Sequence, residues 1–173
     1  MVVGSQGRTA LGRFVLGSVS QVVLTEAQCS VRVARGRVDE FDSPVRIVLA
    51  VDGSDLSEAA VREVASRSWP ENSEVKLVVV VDPIAAGLAV EDYARLEDTD
   101  DRNHVWAERA LEKNAAAFRD ESSLGVITET IEGNPKHELV RVSEEWHADC
   151  IFVGSAGSSN TIGRFVLGSV SAA

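Results

Sequence analysis

The nine residues G-R-F-V-L-G-S-V-S occur twice, at Gly12–Ser20 and at Gly163–Ser171. Each sits in a longer copy. Val3–Ser20 reads V-G-S-Q-G-R-T-A-L-G-R-F-V-L-G-S-V-S, and Val153–Ser171 reads V-G-S-A-G-S-S-N-T-I-G-R-F-V-L-G-S-V-S. Eight of the 13 glycines fall in these copies. A repeat whose period is about 150 residues has the length of a domain, not of a solenoid unit. With one copy at each end, the chain reads as two tandem domains cut out of register. Residues 1–36 are then the last helix and strand of one domain and 37–44 a linker. Residues 45–173 are a second domain without its last strand. On this expectation the chain is a piece of a longer tandem protein, with Met1 inside a strand. The first 25 residues carry Arg and Ser but no acid, as an organelle-targeting segment would. Recurrence of the same residues inside the chain rejects that reading.

Between the copies, strand and helix patterns alternate. Arg46–Val51 is a short β-branched run closed by D-G-S, and Asp55–Ser68 places Leu56, Ala59, Ala60, Val64 and Ala65 at helical spacing. Asp55 and Glu58 read as its capping pair. Val75–Val81 is apolar on both faces, as a parallel strand covered by helices must be. The acidic run E-D-T-D-D ends an irregular segment, Ile84–Asp101, ahead of a helix over about 102–121. Negative charge there suits the positive end of the helix dipole without invoking a ligand. Val126–Ile131 is a third strand. Lys136–His147 is a helix expected to turn Leu139, Val140, Val142 and Trp146 inward, and Cys150–Val153 is a fourth strand. The order βαβαβαβ makes a doubly wound α/β sheet the expected fold. Upstream, Thr9–Glu26 is an amphipathic helix with Leu11, Phe14, Val15, Val19, Val22 and Val23 on one face, followed by a strand at Cys29–Ala34.

Composition narrows the function classes. Seventeen basic against 27 acidic residues give a net charge of −10, which disfavours binding of a nucleic-acid backbone. No apolar run approaches the ~20 residues a membrane span needs. Cys29 and Cys150 form no C-x-x-C pair and are expected to be small buried hydrophobes in a reducing, cytoplasmic compartment. His104, His137 and His147 lack metal-ligand spacing.

Four features together resemble the universal stress protein family. I-V-L-A-V-D-G-S-D-L-S-E-A-A (Ile47–Ala60) is similar to its first strand, turn and helix start, and V-V-V-V-D-P (Val78–Pro83) to the end of its second strand. Glu132–Ser155 resembles its third helix and fourth strand, and the glycines resemble its nucleotide motif, G-2x-G-9x-G-[S/T]. The N-terminal copy keeps that spacing with Gly4, Gly7, Gly17 and Ser18. The C-terminal copy has ten residues between Gly157 and Gly168. The resemblance implies a parallel five-stranded sheet in the order 3-2-1-4-5, the adenine-nucleotide alpha-hydrolase-like fold. It further implies ATP or AMP, with Mg²⁺, at the carboxyl ends of the strands, and a homodimer. Carried over residue by residue, the nucleotide-binding positions are Val51, Asp52, Val80, Gly154, Gly157, Gly168, Ser169 and Val170, with Gly4, Gly7, Gly17 and Ser18 as the alternative phosphate loop. Asp52 and the backbone of Val51 and Val80 would face ribose and adenine.

The physics runs the same way. Ligands of open α/β sheets sit where strand order reverses, here between the first and fourth strands. Glycines admit phosphates close to the backbone, and helix starts offer free N–H groups. Blander readings stand beside these: Asp52 before a glycine is an ordinary turn residue, and the glycines can mark tight helix–sheet packing. There is no P-loop lysine; Arg13 or Arg164 could lend charge.

Three placements of Thr9–Ala34 compete: folding back as the fifth strand, docking on a partner in a strand-swapped dimer, or remaining separate beside an exposed edge. For function, a nucleotide-dependent regulatory or stress-response protein leads. A slow ATPase or autophosphorylating enzyme using Asp52, and a nucleotide-free dimerising interaction module, are the alternatives. No catalytic residue is assigned. Neither nucleic acid nor membrane is expected as a partner.

Overall fold

The structure, a computed structural model of the 173-residue chain, describes residues 1–4, 18–34, 43–82, 96–119 and 123–155; for 96–102 it describes the backbone alone. The described residues group into two compact units, one holding 1–4 and 18–34 and the other 43–155.

The first unit is a single βαβ turn of chain. Strand β1 (Val2–Gly4) pairs in parallel with β2 (Arg32–Ala34), Val3 opposite Val33, and helix α1 (Ser18–Glu26) connects them. The hydroxyl of Ser20, the buried residue of α1, donates to the Gly4 carbonyl at 2.6 Å. Of the expected apolar stripe, Val19 and Val22 are exposed and Val23 is half-buried, while Leu11, Phe14 and Val15 lie outside the described residues.

The second unit is a doubly wound parallel α/β layer. Its strands are β3 (Arg46–Ala50), β4 (Glu74–Val81), β5 (Gly125–Glu132) and β6 (Cys150–Phe152), in the spatial order β5-β4-β3-β6. That is 3-2-1-4 in the expected scheme. All three pairings are parallel, with Leu49 opposite both Leu77 and Phe152. The helices are α2 (Asp55–Ala65), α3 (Leu96–Ala115), continued by a 3₁₀ turn at Ala116–Phe118, and α4 (Pro135–Glu145).

Alternation along the strands divides the core in two. Ile47, Leu49, Val75, Leu77 and Val79 face α2 and α3, meeting Val61, Val64, Ala107, Ala110 and Leu111. Val48, Val78 and Ile131 face α4, meeting Leu139 and Val142. Ile47, Val48 and Leu49 are wholly buried, so β3 is covered on both faces, as the continuous apolar run required.

The structure corrects several expectations. Of the three placements open for Thr9–Ala34, folding back onto this sheet is not the one seen: Arg32–Ala34 pairs with Val2–Gly4 in a two-stranded sheet. Local closure of that βαβ unit needs no long return of the chain. Helix α3 starts at Leu96, so the acidic run lies inside it. Helix α2 is capped by Ser54, whose side chain accepts from the Ser57 amide; Asp55 and Glu58 occupy its first turn. Leu56 and Val140 are exposed, while Val61 takes a core place. Cys29 is exposed and Cys150 partly so. Among the described residues no helix is long and apolar enough to cross a membrane.

Candidate functional site

Strand order reverses between β3 and β6: β3 leads by way of α2 to β4 on one side, while β6 lies on the other. The chain leaves β3 through Val51, Asp52 and Gly53. Val51 is buried and its amide donates to the Val78 carbonyl at 2.9 Å, extending the sheet past the end of the strand. Asp52 then turns the chain into α2. Its Oδ1 accepts from the Ser54 amide at 3.0 Å and from the Ser54 hydroxyl at 2.6 Å. The Ser54 hydroxyl oxygen in turn accepts from the Ser57 amide at 3.2 Å. The aspartate therefore holds the residue that caps the helix. Gly53 has φ +72°, a left-handed conformation that costs a side-chain-bearing residue strain.

Gly154 follows β6 and stands against the start of α2. A Cβ there would lie 3.0 Å from the Ser57 amide nitrogen and 3.1 Å from the Leu56 carbonyl carbon. Two backbones meet at this point with no room for a side chain. The packing reading of this glycine is realised, and the same contact brings the loop after β6 to the Asp52 turn. Val80 lies near the carboxyl end of β4, half-buried and opposite Ile131.

The structure thus collects Val51, Asp52, Val80 and Gly154 at one edge of the second unit. Gly4 and Ser18 belong to the first unit, where they end β1 and begin α1. Gly7, Gly17, Gly157, Gly168, Ser169 and Val170 lie outside the described residues, as do Arg13 and Arg164.

Two residues of α3 reach this edge that the sequence reading did not single out. The Trp106 indole lies over Gly53, its Cζ2 3.2 Å from where a Cβ would stand. His104 Nε2 is 2.9 Å from Glu132 Oε1 at the end of β5. Their position on one turn of a helix was readable; their approach to two different strands was not. Glu58 of α2 pairs with Lys113 of α3, tying the two helices on this face together.

The universal stress protein family model matches residues 1–35 and 45–173. The chain belongs to the universal stress protein family. Universal stress protein MJ0531 of Methanocaldococcus jannaschii is 29% identical over 125 residues, 72% of this chain and 72% of that protein. Universal stress protein Rv2005c of Mycobacterium tuberculosis is 28% identical over 186 aligned residues, covering 99% of this chain. The chain spans only 56% of that relative's length. Among solved structures, protein MJ0577 superimposes with a TM-score of 0.62 at 24% identity, covering 73% of this chain and 84% of its own. Universal stress protein UspA from Lactobacillus plantarum gives 0.58 at 25%, covering 73% and 86%. The shared fold is the doubly wound parallel sheet described above.

Proposed function

We propose that this universal stress protein binds an adenine nucleotide, ATP or AMP, at the carboxyl edge of its four-stranded sheet and acts as a nucleotide-dependent regulatory protein. One observation carries the reading. The Asp52 turn and Gly154 stand together at the strand-order switch, where open α/β sheets receive ligands. Oδ1 of the Asp52 carboxylate serves the Ser54 turn. Among the described residues no group of three or more His, Cys, Asp or Glu could hold a metal ion. On this reading Mg²⁺ would enter with the phosphates, water completing its shell. The family resemblance and the glycine spacing after β6 support placing the phosphates along the loop that begins at Gly154. Gly157, Gly168, Ser169 and Val170 continue that loop in sequence. Gly4, Gly7, Gly17 and Ser18 would offer the same chemistry in the first unit.

Residues 1–36 are, on this reading, the end of a preceding universal stress domain, and 45–173 belong to the next. The nearly full-length alignment to Rv2005c supports that order. A homodimer and a cytoplasmic setting belong to the same proposal.

A thermal melt with and without saturating Mg-ATP tests it. Ligand at 100-fold over its Kd stabilises a fold by about 2.7 kcal/mol, which moves the midpoint of a domain this size by roughly 5–10 °C. Such a shift, reduced in Asp52→Ala, is the expected result. An unmoved midpoint removes the nucleotide from the account. The local service of Asp52 to Ser54 favours, as a second reading, a purely structural turn in a nucleotide-free interaction module. That reading expects Asp52→Ala to lower the melting point while ATP shifts neither protein.

A further inference from the structure

We propose that Trp106 is the aromatic wall against which the base of the bound nucleotide packs. The inference rests on the adenine-nucleotide reading and deepens it. Its starting point is how α3 lies on the sheet. Ala107, Ala110, Leu111 and Asn114 form the helix's buried stripe. Trp106 is one turn ahead of Ala110 on that side, so it overhangs the stripe at the carboxyl edge.

Two contacts fix the position of that turn. His104 meets Glu132 at the end of β5, and the Trp106 indole meets Gly53 just beyond β3. In the sheet, β4 runs between β5 and β3. The two contacts therefore flank the carboxyl end of β4, where Val80 stands.

Chemistry adds to the placement. The indole packs against a residue without a side chain, its Cζ2, Cε2 and Nε1 nearest Gly53, yet Trp106 remains 43% exposed. An aromatic ring that is anchored and still partly exposed is a stacking surface that any base can use. Gly53 immediately follows Asp52, so a ribose at the Asp52 carboxylate brings its base within one residue of the ring. The positive φ of Gly53 and the 3.2 Å approach at that position act together, since a side chain there would strain the turn and push the indole away.

The experiment measures Mg-ATP affinity by calorimetry for the full chain and for Trp106→Ala and Trp106→Phe, with tryptophan emission recorded during titration of the wild type and Trp106→Phe. Trp106→Ala is expected to bind about 10-fold more weakly, and Trp106→Phe, which keeps a stacking face, within about 3-fold of wild type. ATP should quench wild-type emission, and the quench should vanish in Trp106→Phe although that variant still binds. The other tryptophans are placed to stay silent. Trp146 neighbours Arg46 at the opposite end of β3, and Trp69 donates its ring N–H to the Val64 carbonyl at the end of α2. Loss of the quench identifies Trp106 as the ring that senses ATP, and the Trp106→Ala affinity reads whether that ring carries binding. Wild-type affinity in Trp106→Ala, or an unchanged quench in Trp106→Phe, overturns the inference and leaves the nucleotide reading intact. No ATP binding by the wild type overturns both. If Trp106→Ala fails to fold, the Trp106→Phe quench decides.

Discussion

Substituting Gly154 by alanine tests how closely β6 and α2 approach. The added methyl would meet the Ser57 amide nitrogen at 3.0 Å, the Leu56 carbonyl carbon at 3.1 Å and the Leu56 Cβ at 3.4 Å. Two of these atoms are helix backbone and cannot rotate aside, so either β6 or the first turn of α2 must shift. Overpacking of this kind costs about 1–3 kcal/mol. A stiffer unfolded chain returns roughly 0.4–1 kcal/mol of that. Gly125→Ala is the matched control: its methyl would meet Glu74 Cγ at 3.5 Å and the Ser73 carbonyl at 3.9 Å, both ordinary contacts. It should therefore be neutral or slightly stabilising. The difference between the variants, about 1–3 kcal/mol, corresponds to some 3–12 °C in melting point for a unit of this size. Differential scanning calorimetry of both variants measures it. If Gly154→Ala melts no lower than Gly125→Ala, the close packing at the switch point is refuted, and with it the argument that this packing brings the loop after β6 to the Asp52 turn.

Three other changes have defined outcomes. Ser54→Ala removes the side chain that caps α2 and a donor to Asp52, and should cost about 1 kcal/mol in a urea melt with the m-value unchanged. Leu77→Ala empties a wholly buried position between the sheet and its helices and should cost about 2–5 kcal/mol in the same melt, followed by circular dichroism. Val140→Ala, on a residue 49% exposed, should stay within about 0.5 kcal/mol of wild type in the same melt.

The central strands β3 and β4 were legible because their runs are β-branched and mostly buried. Arg46–Ala50 and Glu74–Val81 fall within a residue or so of the expected runs. The helix faces were less legible. Leu56 and Val140 satisfy helical periodicity yet remain exposed. The start of α3 was missed for another reason. An acidic run is equally compatible with lying just before a helix or in its first turns, because both places benefit from the dipole. The cap of α2 was misassigned because Ser54, Asp55 and Ser57 can all serve locally, and only backbone geometry selects among them.

The candidate site divides along the same line. The alternation of strands and helices called for a doubly wound sheet, while the strand order that brings Asp52 and Gly154 together was what the resemblance to the universal stress protein family implied. The repeat, too, is purely a matter of sequence, and the family model matches on both sides of the 36–44 gap. What the tertiary structure decided is pairing and proximity. Arg32–Ala34 closes on Val2–Gly4 instead of extending the larger sheet. Gly154 fits against α2 with no space to spare, and Trp106 comes across from a distant helix to cover Gly53. Periodicity states which side of an element is apolar. Which neighbour that side meets, and at what distance, depends on side-chain volumes summed across elements far apart in sequence, and those contacts exist only once the chain has packed.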